Sequence, residues 1–370
     1  MPIENIIIAH LYQVATAATN RIIAYAKSFK KLGKEVTLVL GCDEVMPLPE
    51  LEGIKLIGIT ASQHALLGPR MASVIKKSYT KDSAILVYGS PLLCLFLPKS
   101  RYNIFFECTE VPLYGKTKGL APRIKEGIKI FMAKRASGMM VISKALKEYF
   151  GHLGIKDIEI VNMFVDVTRF DIPVQEIAQK YIAYCGTVSP FKDGVDCLIK
   201  AYAIFYKLHP EYRLKIIGRF ENSESEKIVR QLAGELGLNE HIDFTGMVTS
   251  AEIPRLLKDA AMLALARPNN RQAQFGFPTK LGEYLATGNP VVLTQVGEIG
   301  DFLQDGVNCR MAVPGIVEDF ADQMAWVADH PDEAKAIGIK GKELTGKEFS
   351  ALEQSRKVLE FMFATTQNRF

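Results

Sequence analysis

FGFPTKLGEYLATGNPVV, residues 275–292, is the stretch that decides the fold of this 370-residue chain. A tight loop holding Gly276 and Pro278 runs into a short segment in which Leu281, Tyr284 and Leu285 fall at i, i+3 and i+4, so one helix face is built for burial. Thr279 reads as the N-cap, leaving Lys280, Leu281 and Gly282 to present backbone N–H groups at the positive end of the helix dipole, a ready anion site. Gly288 stops the helix, and NPVVLT beyond it reads as a buried parallel strand. Glu283 projects from the second turn, beside whatever anion the helix start holds. The competing reading is an ordinary αβ unit with a well-capped helix.

Outward from this stretch the same grammar repeats. The chain opens with a strand, Asn5 to His10, then a helix from Ala17 to Leu32, Gly33, and a strand from Glu35 to Leu40; apolar strands follow at Ala84–Tyr88, Asn103–Cys108, Gly138–Ile142 and Ile158–Asn162. A polar stretch with Pro173, about Asp166 to Gln179, separates these from a second series starting at Tyr181. In that series the strands are Tyr181–Gly186, Arg213–Gly218, Ile242–Thr245 and Met262–Ala266, with helices Val195–Leu208, Glu224–Leu236 and Ile253–Ala260 between them. The expected fold is α/β: two doubly wound, Rossmann-like parallel-sheet domains facing a cleft, with ligands at the carboxyl ends of the strands. The first covers residues 1–168, with a crossover helix at about 350–370, and the second residues 178–348.

Composition limits the function classes. With 48% hydrophobic and 23% charged residues the chain reads as ordinary and globular. Met1–His10 lacks a basic n-region, and the longest apolar stretch, Ala84–Pro98, is broken by Gly89-Ser90-Pro91, so a cytoplasmic location is expected. The six cysteines are scattered without a C-x-x-C pair or histidines at ligand spacing, and read as buried thiols of a reducing compartment. Residues 1–170 hold 23 Lys+Arg and 14 Asp+Glu, a net +9, against −5 for the remainder, which points to an anionic partner of the first half. Nucleic acid is disfavoured as that partner, because the basic residues lack interleaved aromatic platforms. No G-x-G-x-x-G follows any strand, so a nicotinamide-dependent oxidoreductase is not indicated.

The strand ends of the second half carry the candidate chemistry. Gly186-Thr187 ends the strand YIAYCG, and the loop SPFKDG after it brings Lys192 to the mouth; Gly218-Arg219 ends a second strand, and Gly246-Met247-Val248 makes an apolar turn able to edge-pair with a base. A rim cation alone is most often solvated. Three glycines and two cations ending successive strands nevertheless make a shared anion pocket.

These motifs carry a resemblance. CGTVSPFKDGVDCLIKAY (185–202), LKIIGR (214–219), FTGMV (244–248), FPTKLGEYLATGNPVV (277–292) and VGEIGDFLQDGVNCRM (296–311) resemble the nucleotide-sugar domain of the retaining GT-B glycosyltransferases of the sucrose-synthase and bacterial mannosyltransferase group, glycosyltransferase family 4, group 1. ASGMMVISKALKEYF (136–150) and VNMFVDVTRF (161–170) are similar to its interdomain approach, and SALEQSRKVLEFMF (350–363) to its final crossing helix. The resemblance implies a donor site in which Lys192 binds the diphosphate, Glu283 the ribose hydroxyls, the amides of Thr279, Lys280 and Leu281 the distal phosphate, and the Gly246–Val248 turn the base, with Gly186, Thr187, Arg219, Phe275 and Gly276 around them. Three positions depart from the family. Phe275 stands where a carboxylate often lies eight residues before the ribose Glu, Thr187 replaces the usual Arg after the first glycine, with Arg219 as a candidate substitute, and FFECTEVP replaces a loop that often carries His.

The implied reaction is a retaining transfer of a sugar from a UDP- or GDP-linked donor to a glycan or lipid-linked acceptor, as in cell-surface polysaccharide synthesis. It needs positioning and charge stabilisation of a departing diphosphate, for which Lys192 and the helix start are the candidates. Glu110 or Glu107 is the candidate to stabilise the sugar cation or deprotonate the acceptor, with His10, Thr109 and Tyr114 as acceptor contacts. No cofactor is expected, and no metal, since the chain contains no D-x-D triplet. A sugar-nucleotide epimerase or a catalytically silent sugar-nucleotide binder would share the donor pocket. Between Lys116 and Arg135 the chain carries Lys116, Lys118, Arg123, Lys125, Lys129, Lys134 and Arg135, with Ile124, Ile128, Phe131 and Met132 at helical spacing. This segment reads either as a docking face for an anionic membrane, with Leu92–Leu97 as a further shallow anchor, or as a helix whose apolar face packs on the sheet.

Overall fold

In a parallel sheet covered on both sides, strands bury both faces and read as continuous apolar runs. Ile6, Ile7, Ile8 and Ala9 fit that rule, and all four are fully buried. The computed structural model describes all residues except 1, 12–16, 43–50, 61–65, 90–91, 111–119, 176–178 and 368–370, and the side chains of 17, 120–123, 125 and 129. The chain divides into two units, Met1–Phe164 with Ser350–Phe370, and Val165–Phe349.

The first unit is built on seven strands: β1 (Asn5–Leu11), β2 (Glu35–Cys42), β3 (Lys55–Thr60), β4 (Ser83–Tyr88), β5 (Ile104–Cys108), β6 (Gly138–Val141) and β7 (Ile158–Ile160). They lie in the order β3-β2-β1-β4-β5-β6-β7, every pair parallel. The order reverses between β1 and β4, where a doubly wound sheet opens a crevice at its carboxyl edge. Helix Ala17–Lys31 lays Ile22, Tyr25 and Phe29 on Ile6, Ile8 and Leu38, and helix Ala351–Gln367 adds Val358 and Met362 to the same core. Asn162 N–H donates to Gln354 Oε1 at 3.0 Å, so the segment leaving this unit is tied to the returning helix.

The second unit carries β8 (Tyr181–Cys185), β9 (Arg213–Ile217), β10 (Ile242–Gly246), β11 (Met262–Leu265), β12 (Val291–Thr294) and β13 (Arg310–Ala312). Their order is β10-β9-β8-β11-β12-β13, again wholly parallel, with the reversal between β8 and β11. The unit boundary lies at Phe164/Val165, before the polar stretch, because the 3₁₀ turn Val167–Phe170 belongs to the second unit.

Several expectations change here. Strand β3 and the helix Leu67–Ser78 are additional elements; β3 lies at the sheet edge with a half-exposed face, so it lacks the continuous apolar signal of its neighbours. Leu92–Leu97 packs largely inward: its one-turn helix Leu93–Phe96 buries Leu93 and Cys94 and exposes Leu95, and Leu97 after it is buried. In the helix Leu120–Ala133 the spaced apolar residues do not share one environment. Met132 is buried, while Ile124, Ile128 and Phe131 are 53%, 50% and 58% exposed. Lys134 and Arg135 are exposed, with the Arg135 guanidinium 5.8 Å from the Phe131 ring centre. Lys116 and Lys118, and the side chains of Arg123, Lys125 and Lys129, lie outside the described residues. No described helix is long and apolar enough to cross a membrane.

Candidate functional site

At the carboxyl edge of the second sheet the glycines at the ends of β8, β9 and β10 meet. The Gly186 amide donates to Ile217 O at 2.9 Å and the Gly218 amide to Gly246 O at 3.0 Å. Gly218 has φ +132°, and a Cβ there would lie 2.0 Å from Gly186 O, so only glycine allows this approach. The carbonyl of Gly246 also accepts from the Thr245 hydroxyl at 2.9 Å, so the backbone of this turn is partly engaged where free groups were expected. Beyond it Met247 is exposed and Val248 half-buried.

The loop after β8 is fixed just as closely. Val188 N–H donates to Arg219 O at 2.8 Å, which leaves the Arg219 side chain exposed at the rim. Thr187 is half-buried, and its carbonyl accepts from Tyr184 Oη at 2.7 Å. Ser189 caps the one-turn helix Pro190–Asp193 by accepting from Lys192 N–H at 3.2 Å, and Gly194 ends it in the left-handed region. A Cβ on Gly194 would stand 1.9 Å from Ala266 O, so this loop rests on the end of β11, at the point where strand order reverses. Lys192 is half-buried there.

Beneath the loop lies a charged cluster. Lys280 Nζ is 2.5 Å from Asp193 Oδ2 and 3.0 Å from Tyr184 Oη, Tyr184 donates to Asp193 Oδ2 at 2.9 Å, and Arg267 Nε is 3.7 Å from Asp193 Oδ1. Burial by itself would push the Asp193 carboxyl up, but the Lys280 and Arg267 cations and the bonds from Lys280 and Tyr184 outweigh it and hold the group below its usual range. Burial pushes the Lys280 ammonium down against the pull of Asp193. The Lys280 side chain therefore joins a site to which only its amide was assigned.

The helix of the opening stretch spans Lys280–Thr287, with Gly288 left-handed at its end. Thr279 holds the N-cap position but its side chain makes no cap bond; the Pro278 carbonyl accepts from Leu281 N–H at 3.0 Å, so one of the three expected amides is already used. Phe275 is half-buried at the end of the five-residue helix Arg271–Phe275, and Gly276 follows it. Glu283 is bound by Arg169, which also donates to Ser250 O at 3.1 Å and Ser250 Oγ at 3.3 Å. Arg169 thereby links the proposed ribose carboxylate to the segment just past the Gly246–Val248 turn.

In the first unit the placements differ from the expectation. Glu107 is not a rim carboxylate: it is fully buried in β5, where its Oε1 accepts from Arg21 Nε at 2.8 Å, Arg21 Nη2 at 2.6 Å and Tyr25 Oη at 3.3 Å. Burial pushes this carboxyl up and Arg21 opposes the push. Arg21 also reaches the carbonyls of Val161 at 3.2 Å and Asn162 at 3.1 Å, so the pair joins a helix, a strand and the segment leaving the unit. His10 lies inside β1, which continues one residue further than expected, to Leu11 opposite Gly41. Its Nδ1 is 3.5 Å from Tyr88 O, its Nε2 is buried with no partner among the described residues, and burial pushes its pKa below 6.5. Thr109 pairs its hydroxyl with Tyr88 Oη at 3.1 Å, Glu110 is exposed, and Tyr114 lies outside the described residues. No cluster of three His, Cys, Asp or Glu side chains among the described residues is arranged to hold a metal.

Comparison with known proteins gives this geometry a context. Residues 179–330 match the family model described as Glycosyl transferases group 1. The chain is similar to the MMP alpha-(1->4)-mannosyltransferase of Mycolicibacterium hassiacum, 23% identical over 53% of this chain and 45% of that protein. It is also similar to the D-inositol 3-phosphate glycosyltransferase of Kribbella flavida, 29% identical over 49% of this chain and 45% of that one. The chain thus spans about half the length of the curated relatives it matches. In three dimensions it resembles Anabaena HepE, solved with UDP and glucose, with a TM-score of 0.77 over 98% of this chain and 100% of that one at 16% identity. The architecture, two Rossmann-like parallel-sheet domains of seven and six strands, is that of the GT-B glycosyltransferases.

Proposed function

We propose, from the match of residues 179–330 to the group 1 glycosyl transferase model, that the chain transfers a sugar, with retention at the anomeric carbon, from a UDP- or GDP-linked donor to a glycan or lipid-linked acceptor. The observation that carries this reading is the convergence at one sheet edge of Gly186, Gly218 and Gly246 with Lys192 and the start of the helix that bears Glu283. Bare glycine backbone lets a diphosphate approach closely, and a lysine with a helix N-terminus supplies the charge that a departing diphosphate needs. Glu283, steadied by Arg169, takes the ribose hydroxyls, and the turn at Met247 and Val248 takes the base. UDP in the related Anabaena structures supports this choice of donor. On the acceptor side Glu110 is the solvent-facing carboxylate and acts on the acceptor hydroxyl, while the Glu107–Arg21 pair braces the strand that carries that loop. Charge on the diphosphate is met by cations and backbone dipoles without a metal.

A lipid-linked acceptor is supported by the exposed Ile124, Ile128 and Phe131 of helix Leu120–Ala133 and by Lys134 and Arg135 just past its end, an apolar and basic surface suited to an anionic membrane. Thermal unfolding against a panel of UDP-, GDP- and ADP-sugars tests the donor. A ligand at about 100 times its Kd stabilises by roughly 2.7 kcal/mol, and the absence of a shift with every member refutes the reading. Conversion of a bound donor without acceptor would identify an epimerase instead.

A further inference from the structure

We propose that the side-chain ammonium of Lys280, admitted by the bare backbone of Gly186, binds the distal phosphate of the donor as a second cation beside Lys192. This deepens the nucleotide-sugar reading and rests on it. An ammonium carries three N–H donors. Two of those of Lys280 go to Asp193 Oδ2 at 2.5 Å and Tyr184 Oη at 3.0 Å. The group lies against Gly186 at the end of β8: a Cβ at that position would fall 2.2 Å from Nζ, so the ammonium fills the space that a side chain at 186 would take. The third donor is thus left at the edge of the sheet where strand order reverses.

Lys280 is also the first residue of its helix, so its ammonium and the positive end of the helix dipole act at the same place. Asp193 and Tyr184 hold the group in one geometry with its side chain 16% exposed, which removes the entropy that a mobile surface lysine loses on capturing an anion. Arg219, by contrast, extends into solvent from the end of β9. Thr187, next to Gly186, offers no cation, and Lys280 supplies from another element the charge that this strand end lacks.

The alternative is a static ion pair with no ligand; removing Lys280 alone would leave Asp193 paired with Arg267, whose Nε is 3.7 Å from Oδ1. The test therefore uses Lys280→Gln, whose amide still donates to Asp193, with Lys280→Met combined with Asp193→Asn as a second variant that removes the Lys280–Asp193 pair, keeps side-chain size and leaves the Arg267 cation in place. Calorimetry on the full chain measures the affinities of UDP, GDP, UMP and GMP. The preference for the diphosphate over the corresponding monophosphate is expected to fall about tenfold or more, the scale of one charge-assisted hydrogen bond, with monophosphate affinity within about twofold of the parent. A folded variant that keeps the diphosphate preference within about twofold overturns the role of Lys280. A parent protein that binds neither UDP nor GDP overturns the nucleotide-sugar reading itself.

Discussion

Replacing Glu283 separates a ribose-binding carboxylate from one that serves only to hold Arg169. The side chain is 18% exposed and bound by Arg169, itself 20% exposed and anchored a second time on Ser250, so Arg169 keeps partners when Glu283 is lost. Glu283→Ala should therefore leave the second unit folded. A hydrogen bond to a charged group contributes about 1.5–3 kcal/mol, so the variant's affinity for UDP or GDP should drop about 10- to 150-fold. Glu283→Gln keeps neutral bonds of about 0.5–1.5 kcal/mol and should fall between the variant and the parent. The decisive assay is calorimetry with the nucleoside diphosphate and its 2′-deoxy form on both proteins. If the carboxylate holds the ribose, the parent discriminates against the deoxy ligand by at least about tenfold and Glu283→Ala by less than about twofold. Equal discrimination by the two proteins would refute the assignment, whatever the absolute affinities.

Four other outcomes follow from the geometry. Gly218→Ala, whose Cβ would stand 2.0 Å from Gly186 O at φ +132°, should destabilise the protein by about 1–3 kcal/mol in urea unfolding; an unchanged midpoint would show that the strand ends are loosely joined. Burial keeps His10 neutral below the 6.5 of an exposed histidine, so the unfolded chain binds more protons as pH falls below 6.5 and stability declines until the folded group also titrates; unfolding between pH 7.5 and 5 should decline less in His10→Gln, and identical declines refute this. Turnover should persist in excess chelator, and loss restored by Mg²⁺ or Mn²⁺ would contradict metal-free handling of the diphosphate. Sedimentation should show Phe131→Ser binding less well than the parent to anionic vesicles at low salt, with little binding of either to neutral ones; no difference between proteins or lipids removes the membrane face.

The parts of the site legible in the sequence are those set by local rules. Gly288 ends its helix because a left-handed stop needs no partner elsewhere, and the strand ends at Gly186, Gly218 and Gly246 follow from apolar runs broken by glycine. What the sequence hid depends on pairing across the chain. Asp193 reads as a turn residue in KDG, yet its partners Lys280 and Arg267 come from other elements, more than seventy residues away. Arg169 and Arg21 carry no local mark of function, and each is defined by a carboxylate far along the chain. Glu107 looked like a rim group because it stands one residue before the end of its strand, whereas its side chain is fully buried and bound by Arg21 and Tyr25. The side chain of Thr279 gave a capping signal that the Pro278 carbonyl overrode.

The discontinuous first unit sets an order for events on the ribosome. Val165–Phe349 is one uninterrupted segment and can close its own sheet as soon as it emerges, whereas the first unit lacks Val358 and Met362 of its core and the Gln354 bond to Asn162 until helix Ala351–Gln367 has been made. At ~5–20 residues per second that wait is on the order of 10–40 seconds, during which the part of the first unit's core that Val358 and Met362 complete stays open to chaperones and proteases. Nascent chains stalled before Ala351 should therefore expose the first unit, and not the second, to limited proteolysis, although the first unit is synthesised earlier.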